Sequence, residues 1–315
     1  MGIHRALETP RPSGQAPEEM RHFGHERDGI SGGSSLNGFT YPAICVALRA
    51  RRHRSGGIQI GGSEATIRGL DETGPMAARA KAWMSWSSGK DSTMALDVVR
   101  SAGDVEITAL LTTVNADADR VAMHAVRRSL LEAQADRLGL PLVIVDIPSP
   151  CPNEVYEARM AKAIAAALAD GVAHVVFGDL FLRDVRAYRE ERLDGTGISP
   201  IFPLWDRPTD VLAREMLASG LKAVITCIDR AQLHSDFAGR HFDAELLSEL
   251  PVGVDPCGER GEFHTFVWDG PGFSSPLDIE IGQIVERDGF VFCDVCEPEE
   301  MTTPLGSSPE HSPSA

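Results

Sequence analysis

The chain has 315 residues, of which 43% are hydrophobic and 24% charged, a composition typical of folded globular proteins and not of wholly disordered ones. Its formal net charge of −16 speaks against nucleic-acid binding over a broad surface, since that binding requires a basic footprint. The N-terminus lacks the apolar core of a signal peptide, and the longest early apolar run, Tyr41–Leu48, is far shorter than the about 20 residues that span a bilayer. We therefore expect a cytoplasmic protein with no membrane segment, and we do not expect a nucleic-acid partner.

The two ends of the chain differ in composition from its middle. Residues 1–78 are rich in Gly, Ser, Pro, Arg and His and show no sustained hydrophobic period, which predicts a disordered extension. Residues 298–315 are predicted to form a disordered tail. Met76 or Met84 is a candidate for the biological start, because an ordered strand is predicted to begin near them.

Short β-rich runs alternate with helical patterns through the middle of the chain. Strands are predicted over residues 81–86, 106–113, 142–147, 172–177 and 223–228, and helices over 91–102, 123–138, 153–170, 182–194 and 209–219. Such alternation is typical of an α/β fold with a doubly wound, mostly parallel sheet, whose ligands bind at the carboxyl ends of the strands. We assign this domain to residues 79–240.

The pattern changes after residue 241. A short helix is predicted over residues 242–250, a turn-rich segment follows at 255–262, and residues 277–286 and 290–295 are predicted to pair as a hairpin. We assign residues 241–297 to a smaller, C-terminal substrate-binding subdomain. Cys293 and Cys296 form a single CxxC pair at its end, which favours two thiols at the end of a strand over a metal site.

A phosphate-binding loop is predicted directly after the first strand, at Ser87-Ser88-Gly89-Lys90-Asp91-Ser92. Small residues let backbone N–H groups approach an anion, and the start of the following helix adds partial positive charge. Lys90 can offset phosphate charge, and Asp91 can hold Mg²⁺. The hydroxyls of Ser87 and Ser92 can bind phosphate oxygens. The alternative is a capped helix start without a ligand, which the position after the first strand of an α/β sheet disfavours.

The loop differs from two common nucleotide-binding patterns. It is not a Walker A loop, because Asp91 follows the lysine, and it contains no GxGxxG fingerprint. It closely resembles the SGGxDS loop of the PP-loop ATP pyrophosphatases, which bind the terminal pyrophosphate of ATP and cleave between the α- and β-phosphates. Ser88 stands where that family has Gly, and a positive φ at this position would be costly.

Three further stretches carry a narrower resemblance. They are Phe177-Gly178-Asp179-Leu180 with Arg186 and Glu190 downstream, Phe202-Pro203-Leu204-Trp205, and Gly258-Glu259-Arg260-Gly261-Glu262-Phe263-His264-Thr265-Phe266-Val267. Together with the loop they span residues 81–275 and resemble the diphthine–ammonia ligase-like ATP-binding proteins, the bacterial relatives in particular. The resemblance implies an adenine nucleotide alpha hydrolase-like fold. It also implies that ATP activates a carboxylate as an acyl-adenylate with release of pyrophosphate, and that ammonia then displaces AMP.

The same resemblance implies roles for individual residues. The candidate catalytic residues are Asp179, Glu190, Glu259, Glu262 and His264, and the candidate substrate-binding residues are Arg186, Gly258, Gly261 and Thr265. Gly178 and Thr113 join the loop as candidate ATP-binding residues, Thr113 through backbone contacts of Leu111–Thr113 with adenine. The implied ligands are ATP, Mg²⁺, ammonia and an unidentified carboxylate acceptor, which is either a protein or a small molecule.

The residues themselves leave alternatives open. Asp179 ends a buried strand, where an ionised carboxylate requires a cation or hydrogen-bond donors, but Asp179 can also cap the next helix. Arg186 and Glu190 have the i, i+4 spacing of an ordinary surface ion pair. Residues 258–267 bring two carboxylates, an imidazole and a hydroxyl close together in sequence, yet the pattern also fits a solvated turn that leads into a strand.

Three functions are therefore considered. The leading one is an ATP-dependent ligase or amidotransferase. A PP-loop enzyme that modifies tRNA would share the adenylation step, but the acidic charge and the lack of paired CxxC motifs count against it. A regulator that binds ATP without turnover is the third, and the departure at Ser88 leaves room for it.

Overall fold

The computed structural model describes residues 78–298, so the predictions for the terminal segments 1–78 and 298–315 fall outside this range or at its edge. The first of two sheets has the strands β1 (Ala80–Ser85), β2 (Val105–Asn115), β3 (Arg120–Val121), β4 (Leu142–Ile147), β5 (Val172–Val176) and β6 (Ser199–Ile201). Parallel pairs join β1 to β2 and β5, β2 to β4, and β5 to β6, while β3 runs antiparallel to the end of β2. The predicted α/β fold with a mostly parallel sheet is confirmed.

Helices cover both faces of this sheet. They are α1 (Lys90–Ala102), α2 (Arg128–Leu138), α3 (Asn153–Ala169), α4 (Arg183–Leu193) and α5 (Thr209–Ala218). Alternate residues of β1 enter two separate cores, because Ala82 and Met84 pack in the cluster that contains α1 and α2, whereas Trp83 packs in the cluster that contains Ala167 of α3. This arrangement is the predicted doubly wound one. Helix α2 ends before Gly139, whose φ of 64° suits a glycine at a helix end.

The second sheet is antiparallel. Its strands are β7 (Lys222–Asp229), β8 (Phe263–Asp269), β9 (Glu280–Arg287) and β10 (Phe290–Cys296), in the order β8–β7–β10–β9. The short helix α6 (Ala244–Glu249) lies between β7 and β8 in the chain. The predicted hairpin is confirmed as β9–β10. The prediction that residues 223–228 form a fifth parallel strand is wrong. All of β7 after Lys222 is buried, and a strand buried on both faces has a continuous apolar pattern that does not reveal its direction.

The change from one sheet to the other falls between Ile201 and Lys222. The predicted domain bounds, 79–240 and 241–297, remain predictions. Cys293 and Cys296 lie buried on β10, and no group of three or more His, Cys, Asp or Glu side chains within residues 78–298 is arranged to hold a metal ion. In the same range, no helix is long and apolar enough to cross a bilayer.

A buried amide on α2 joins the two sheets. Gln134 is fully buried, and its Oε1 accepts a hydrogen bond of 2.9 Å from the indole Nε1 of Trp86 at the end of β1. Its Nε2 donates to the carbonyl oxygens of Ser88, at 3.1 Å, and of Val267 in β8, at 2.6 Å. The carbonyl of Ser88 also accepts from the backbone N–H of Val267 at 2.9 Å. One side chain thus holds the turn after β1 against the second sheet.

Replacement of Gln134 by Leu is expected to destabilise the fold. The change keeps the approximate volume but leaves the Trp86 N–H and the Val267 carbonyl buried without this partner, at a cost of about 1–3 kcal/mol for each such group. Urea unfolding monitored by tryptophan fluorescence measures the loss. The matched control is Gln283→Leu on the exposed β9, which we expect to change the free energy of unfolding by less than about 0.5 kcal/mol. Equal effects of the two substitutions would contradict the linking role of Gln134.

Candidate active site

The turn between β1 and α1 is closed by its own hydrogen bonds. Ser87 Oγ lies 3.2 Å from Ser92 Oγ and accepts from the N–H of Gly89 at 3.4 Å. The hydroxyls of Ser92 and Thr93 both donate to the carbonyl of Gly89, at 2.9 and 3.0 Å. Ser88 adopts a φ of +68°, in the left-handed region that favours glycine. The departure from the family loop therefore falls at a position where a side chain strains the backbone.

The end of β5 packs directly against the start of α1. A Cβ atom on Gly178 would lie 2.9 Å from the carbonyl carbon of Asp91 and 3.0 Å from the backbone nitrogen of Ser92, so a larger residue would force the two elements apart. Gly178 therefore fits the role of a close-approach glycine that was predicted to belong to the site. Its approach brings the next residue, Asp179, to the same end of the sheet as Asp91.

Lys90 connects the loop to the second sheet. Its side chain is 2% exposed, and Nζ donates to Asp91 Oδ2 at 2.8 Å and to the carbonyl oxygen of Cys257. The ring of Phe263 lies 5.3 Å from Nζ, in cation–π range. Burial acts to lower the pKa of Lys90, but the charge of Asp91, the charges of Cys257 and Glu259 and the hydrogen bond to Asp91 together outweigh it and leave the pKa above its ordinary value. Lys90 is thus a buried charged group held by Asp91 and by the carbonyl of Cys257.

Two carboxylates fold the turn at residues 255–262. Glu262, buried at 2% exposure, accepts from the backbone N–H groups of Asp255 at 3.0 Å and Arg260 at 2.9 Å. Asp255 in turn accepts from the N–H of Cys257 at 2.9 Å and from the hydroxyl of Thr209 at 2.8 Å. The structure thus uses the carboxylate oxygens of Glu262 to shape the turn, and its predicted catalytic role remains a prediction. Sequence reasoning missed Asp255, which shares the task.

Glycines give this turn its shape. Gly258 has a φ of +67°, and a Cβ atom there would lie 2.7 Å from the carbonyl oxygen of Phe263. Gly261 has a φ of +83° and open space around it. Both positions therefore require glycine for backbone conformation, and Gly258 also for space.

Glu259 reaches from the turn back to the first sheet. Its Oε1 accepts from the backbone N–H groups of Leu180, at 2.8 Å, and Phe181, at 3.3 Å, just after Asp179. Burial, with the charges of Asp91 and Asp179, raises the pKa of Glu259 to about 8, although the two backbone donors oppose this effect. Three carboxylates from separate segments thus converge beside the loop, and Glu259 binds a proton at neutral pH.

The carboxylates of Asp91 and Asp179 each have an oxygen that can bind a metal ion. Asp91 Oδ1 and Asp179 Oδ2 are both buried and make no hydrogen bond within residues 78–298. Mg²⁺ that accompanies a nucleotide is commonly held by one or two carboxylates together with substrate phosphates, so a cluster of three protein ligands is not required. The chemistry of this pair therefore fits Mg²⁺ bound together with ATP.

A pair of imidazoles lies on the other side of the loop. The rings of His264 and His124 are 4.6 Å apart, and His124 Nδ1 lies 3.4 Å from the carbonyl oxygen of Thr265. The hydroxyl of Thr265 accepts from the N–H of Lys90 at 3.2 Å. Burial, opposed by the contact with Thr265 and aided by the charge of Lys90, lowers the pKa of His124 to about 4, and burial also lowers the pKa of His264. Both rings are therefore neutral at pH 7. Sequence reasoning missed His124, whose loop between β3 and α2 carries no motif.

Arg186 and Glu190 bind each other. Arg186 Nε donates to Glu190 Oε1 at 2.8 Å on a partly exposed face of α4, and its guanidinium stacks over Phe202 and Trp205 at 4.8 and 4.7 Å from their ring centroids. The structure does not bring these two residues together with the loop. Their predicted roles remain predictions, and Arg189, one turn further along α4, lines the cleft in their place.

A cleft of about 1910 Å³ runs past the loop, Asp179, Glu259 and the two imidazoles, but not past Arg186 and Glu190. It is bounded by the loop, the end of β2, the start of α4, the turn at 258–262 and the start of β8. Thr113 lines it together with Leu111 and Thr112, as the adenine prediction requires. The side chain of Asn115, at the end of β2, accepts from the N–H groups of Asp117 and Ala118, and so closes a turn.

Family models of the diphthamide synthase N-terminal domain and the diphthamide synthase C-terminal domain match residues 80–198 and 208–297. The diphthine–ammonia ligase of Mus musculus is 31% identical over 106 residues, which are 31% of this chain and 39% of that protein. The diphthine–ammonia ligase of Danio rerio is 33% identical over 31% of this chain and 40% of that protein. The matched region thus spans about 40% of the length of these relatives.

One solved structure is similar over part of the chain. It is a U34-tRNA thiolase from Methanococcus maripaludis with its [4Fe–4S] cluster, which matches with a TM-score of 0.29 and 17% identity over 45% of this chain and 59% of that chain.

The strain at Ser88 predicts that Ser88→Gly stabilises the protein. A left-handed conformation costs about 1–2 kcal/mol for a residue with a side chain, and glycine loses about 0.5–1 kcal/mol through its greater freedom in the unfolded chain. The Ser88 hydroxyl is also buried without a hydrogen bond inside the described chain, so its removal adds to the gain. We expect a net gain of about 1 kcal/mol in the free energy of unfolding. Ser219→Gly, at a φ of −72°, should instead destabilise. A loss of stability in Ser88→Gly would contradict the strain.

Glu259 predicts a pH dependence of stability. Because its pKa is raised from 4.5 to about 8, its contribution to folding is complete below about pH 4.5 and lost as the pH rises through about 8. Glu259→Gln keeps an acceptor for the two backbone N–H groups but does not ionise. The variant should therefore gain stability relative to the wild type as the pH rises from about 5 to about 9. Urea titrations across this range measure the difference, and parallel curves would contradict the raised pKa.

Proposed function

Because the chain belongs to the diphthamide synthase family of the PP-loop superfamily, we propose that it is an ATP-dependent ligase that activates a carboxylate as an acyl-adenylate for attack by ammonia. The observation that carries this proposal is the convergence of Asp91, Asp179 and Glu259 beside the loop Ser87–Ser92. Carboxylate oxygens without hydrogen bonds there suit Mg²⁺, and the small residues of the loop suit a pyrophosphate. The resemblance of the loop to that of the PP-loop ATP pyrophosphatases supports cleavage between the α- and β-phosphates over transfer of the γ-phosphate.

The proposed reaction has two steps. In the first, an oxygen of the acceptor carboxylate attacks the α-phosphorus of ATP, the α–β phosphoanhydride bond breaks, and pyrophosphate leaves. In the second, the nitrogen of ammonia attacks the acyl carbon, a C–N bond forms, the C–O bond to AMP breaks, and one proton is lost from the nitrogen. His264 and His124 are neutral at pH 7 and can accept a hydrogen bond from ammonia, but their lowered pKa values make them weak bases for this proton.

The chain's own residues orient these reactants. Backbone groups of Leu111–Thr113 contact the adenine, and the loop binds the pyrophosphate that leaves. Asp91 and Asp179 would hold Mg²⁺, which would supply positive charge to neutralise the phosphates. Lys90 keeps Asp91 in place through their 2.8 Å contact. The turn at 258–262 closes the cleft opposite the loop.

The acceptor is an unidentified carboxylate on a protein or a small molecule. The matched relatives in mouse and zebrafish are named for diphthine and ammonia, and the matched region covers well under half of each. Membership of the bacterial branch, a cytoplasmic location and the absence of a nucleic-acid partner remain predictions of the sequence.

Product analysis tests the proposal. The purified protein is incubated with Mg-ATP, ammonium and pools of candidate carboxylates, and nucleotides and phosphates are separated by anion exchange. We expect AMP and pyrophosphate in equal amounts, dependent on the acceptor. ADP and phosphate would contradict it, tRNA-dependent AMP would support the tRNA-modifying alternative, and ATP binding without any turnover would support the regulator.

Asp91→Ala is predicted to abolish AMP formation. The substitution removes a carboxylate that is proposed to hold Mg²⁺ and leaves Lys90 without its ion-pair partner. The matched control is Asp104→Ala, an exposed residue after α1, which should keep wild-type turnover. Circular dichroism and urea unfolding establish that both variants fold. Wild-type turnover in Asp91→Ala would contradict the assignment of Asp91 to the site.

A further inference from the structure

The cleft continues beyond the phosphate loop as a groove between α3 and α4. Its walls are apolar side chains of both helices, namely Met160, Ile164 and Leu168 of α3 and Val185 and Leu193 of α4. Leu168 is 40% exposed, so part of this apolar surface is open to solvent. A groove of this kind suits a ligand with a carbon skeleton.

A cation lies where the groove meets the phosphate loop. The guanidinium of Arg189 packs over the ring of Phe177 at 5.0 Å, and its Nε lies 3.5 Å from Asp179 Oδ2. Both atoms of this pair are buried, and neither makes a hydrogen bond inside the range that the structure describes. Burial acts to lower the pKa of Arg189, but Asp179 together with Tyr156 and Tyr188 outweighs it and leaves the pKa above its ordinary value, so the guanidinium stays protonated.

Asp179 and Arg189 are therefore close together and opposite in charge, but their atoms are not placed to form a hydrogen bond. A buried donor without an acceptor costs free energy that a correctly placed ligand recovers. Asp179 is the C-terminal neighbour of Gly178, which packs against Asp91, so its carboxylate is placed for the nucleotide side of the cleft. An acceptor for the Arg189 N–H has to come from the groove side, and a carboxylate is the group that a guanidinium binds best.

We infer that Arg189 binds the carboxylate of the acceptor, and that this carboxylate is carried by an apolar carbon skeleton that lies in the α3–α4 groove. The inference rests on the proposed function for the statement that the bound carboxylate is the one adenylated. Arg189 holds this carboxylate beside Asp179 and beside the loop that is proposed to bind the pyrophosphate of ATP. The acceptor class is then an alkyl or aryl carboxylate.

The neighbouring arginines of α4 do not share this property. Arg192 Nη1 lies 2.9 Å from Glu157 Oε1 of α3, and Arg186 is paired with Glu190. Arg192 lines the same cleft, so it offers a matched control for the loss of one positive charge.

The test uses binding and does not require turnover. Hexanoate and phenylacetate are the probes, each compared with its uncharged amide, and ligand-observed NMR on the full chain measures affinity with and without Mg-ATP. We expect each carboxylate to bind more tightly than its amide. Arg189→Gln should weaken carboxylate binding about tenfold or more, since a charge-assisted hydrogen bond is lost, whereas Arg192→Gln should change it by less than about twofold.

A second variant gives an effect of opposite sign. Asp179→Asn removes the competing negative charge and should tighten carboxylate binding several-fold when Arg189 is present but much less in the double variant Asp179→Asn/Arg189→Gln, whereas a merely structural role of Arg189 predicts the same tightening in both. Arg189→Lys replaces Arg189→Gln if the latter does not fold, and unchanged Mg-ATP affinity in either variant shows that the nucleotide site is intact.

Three results would overturn the inference: amides that bind as tightly as carboxylates, equal losses in the Arg189 and Arg192 variants, or no loss in the Arg189 variants. Arg189-dependent binding without AMP formation would leave the inference standing and refute the proposed function. Acceptor-dependent AMP formation with an unchanged KM for the acceptor in Arg189→Gln would do the reverse.

Discussion

The site depends on one buried cation, the ammonium of Lys90. An ammonium out of contact with water is tolerated only while its partners stay in place, because an unpaired buried charge is far more costly than a neutral group. Its partners belong to two different parts of the chain, Asp91 on α1 and the carbonyl of Cys257 in the second sheet's turn. The ammonium of Lys90 therefore holds the loop and the turn together, because separating them would leave this buried charge without one of its partners.

The rest of the site is built around this contact. Gly178 lets β5 approach α1 so closely that Asp179 reaches the same space as Asp91. The two carboxylate oxygens of Glu262 accept hydrogen bonds from backbone N–H groups of the turn. Glu259 instead reaches across the cleft and accepts from the backbone N–H of Leu180. The result is a concentration of carboxylates whose charges repel and raise the pKa of Glu259. Such an arrangement is costly alone and becomes favourable when cations bind, as expected of a site for Mg-ATP.

The sequence predicted local features well. Strand β4 and the alternation of helices and strands follow from hydrophobic period and glycine stops, and the strain at Ser88 follows from the comparison of one loop with its family. The two- and three-residue strands β3 and β6 were missed because they are too short to show a period. The predicted direction of β7 was wrong, because a strand buried on both faces is apolar throughout and its sequence does not show whether it runs parallel or antiparallel.

Contacts distant in sequence could not be predicted from the sequence. Gln134 lies 133 positions from Val267, and His124 lies 141 positions from Thr265. Helix α4 carries an arginine at every third position from Arg183 to Arg192 and buries only Leu193, so its composition does not show which arginine faces the cleft. Arg186 was selected by resemblance, whereas the fold places Arg189 beside Asp179.

The loop Ser87–Ser92 and the turn at 258–262 are proposed to form one nucleotide site that binds the β- and γ-phosphates. A crystal structure with Mg²⁺ and α,β-methylene-ATP, which cannot be cleaved between its α- and β-phosphates, tests this proposal most directly. We expect the β- and γ-phosphates against Ser87–Ser92 and the metal ion on Asp91 and Asp179. Phosphates bound elsewhere in the cleft, or a loop occupied by the γ-phosphate alone with no metal ion on either carboxylate, would contradict it.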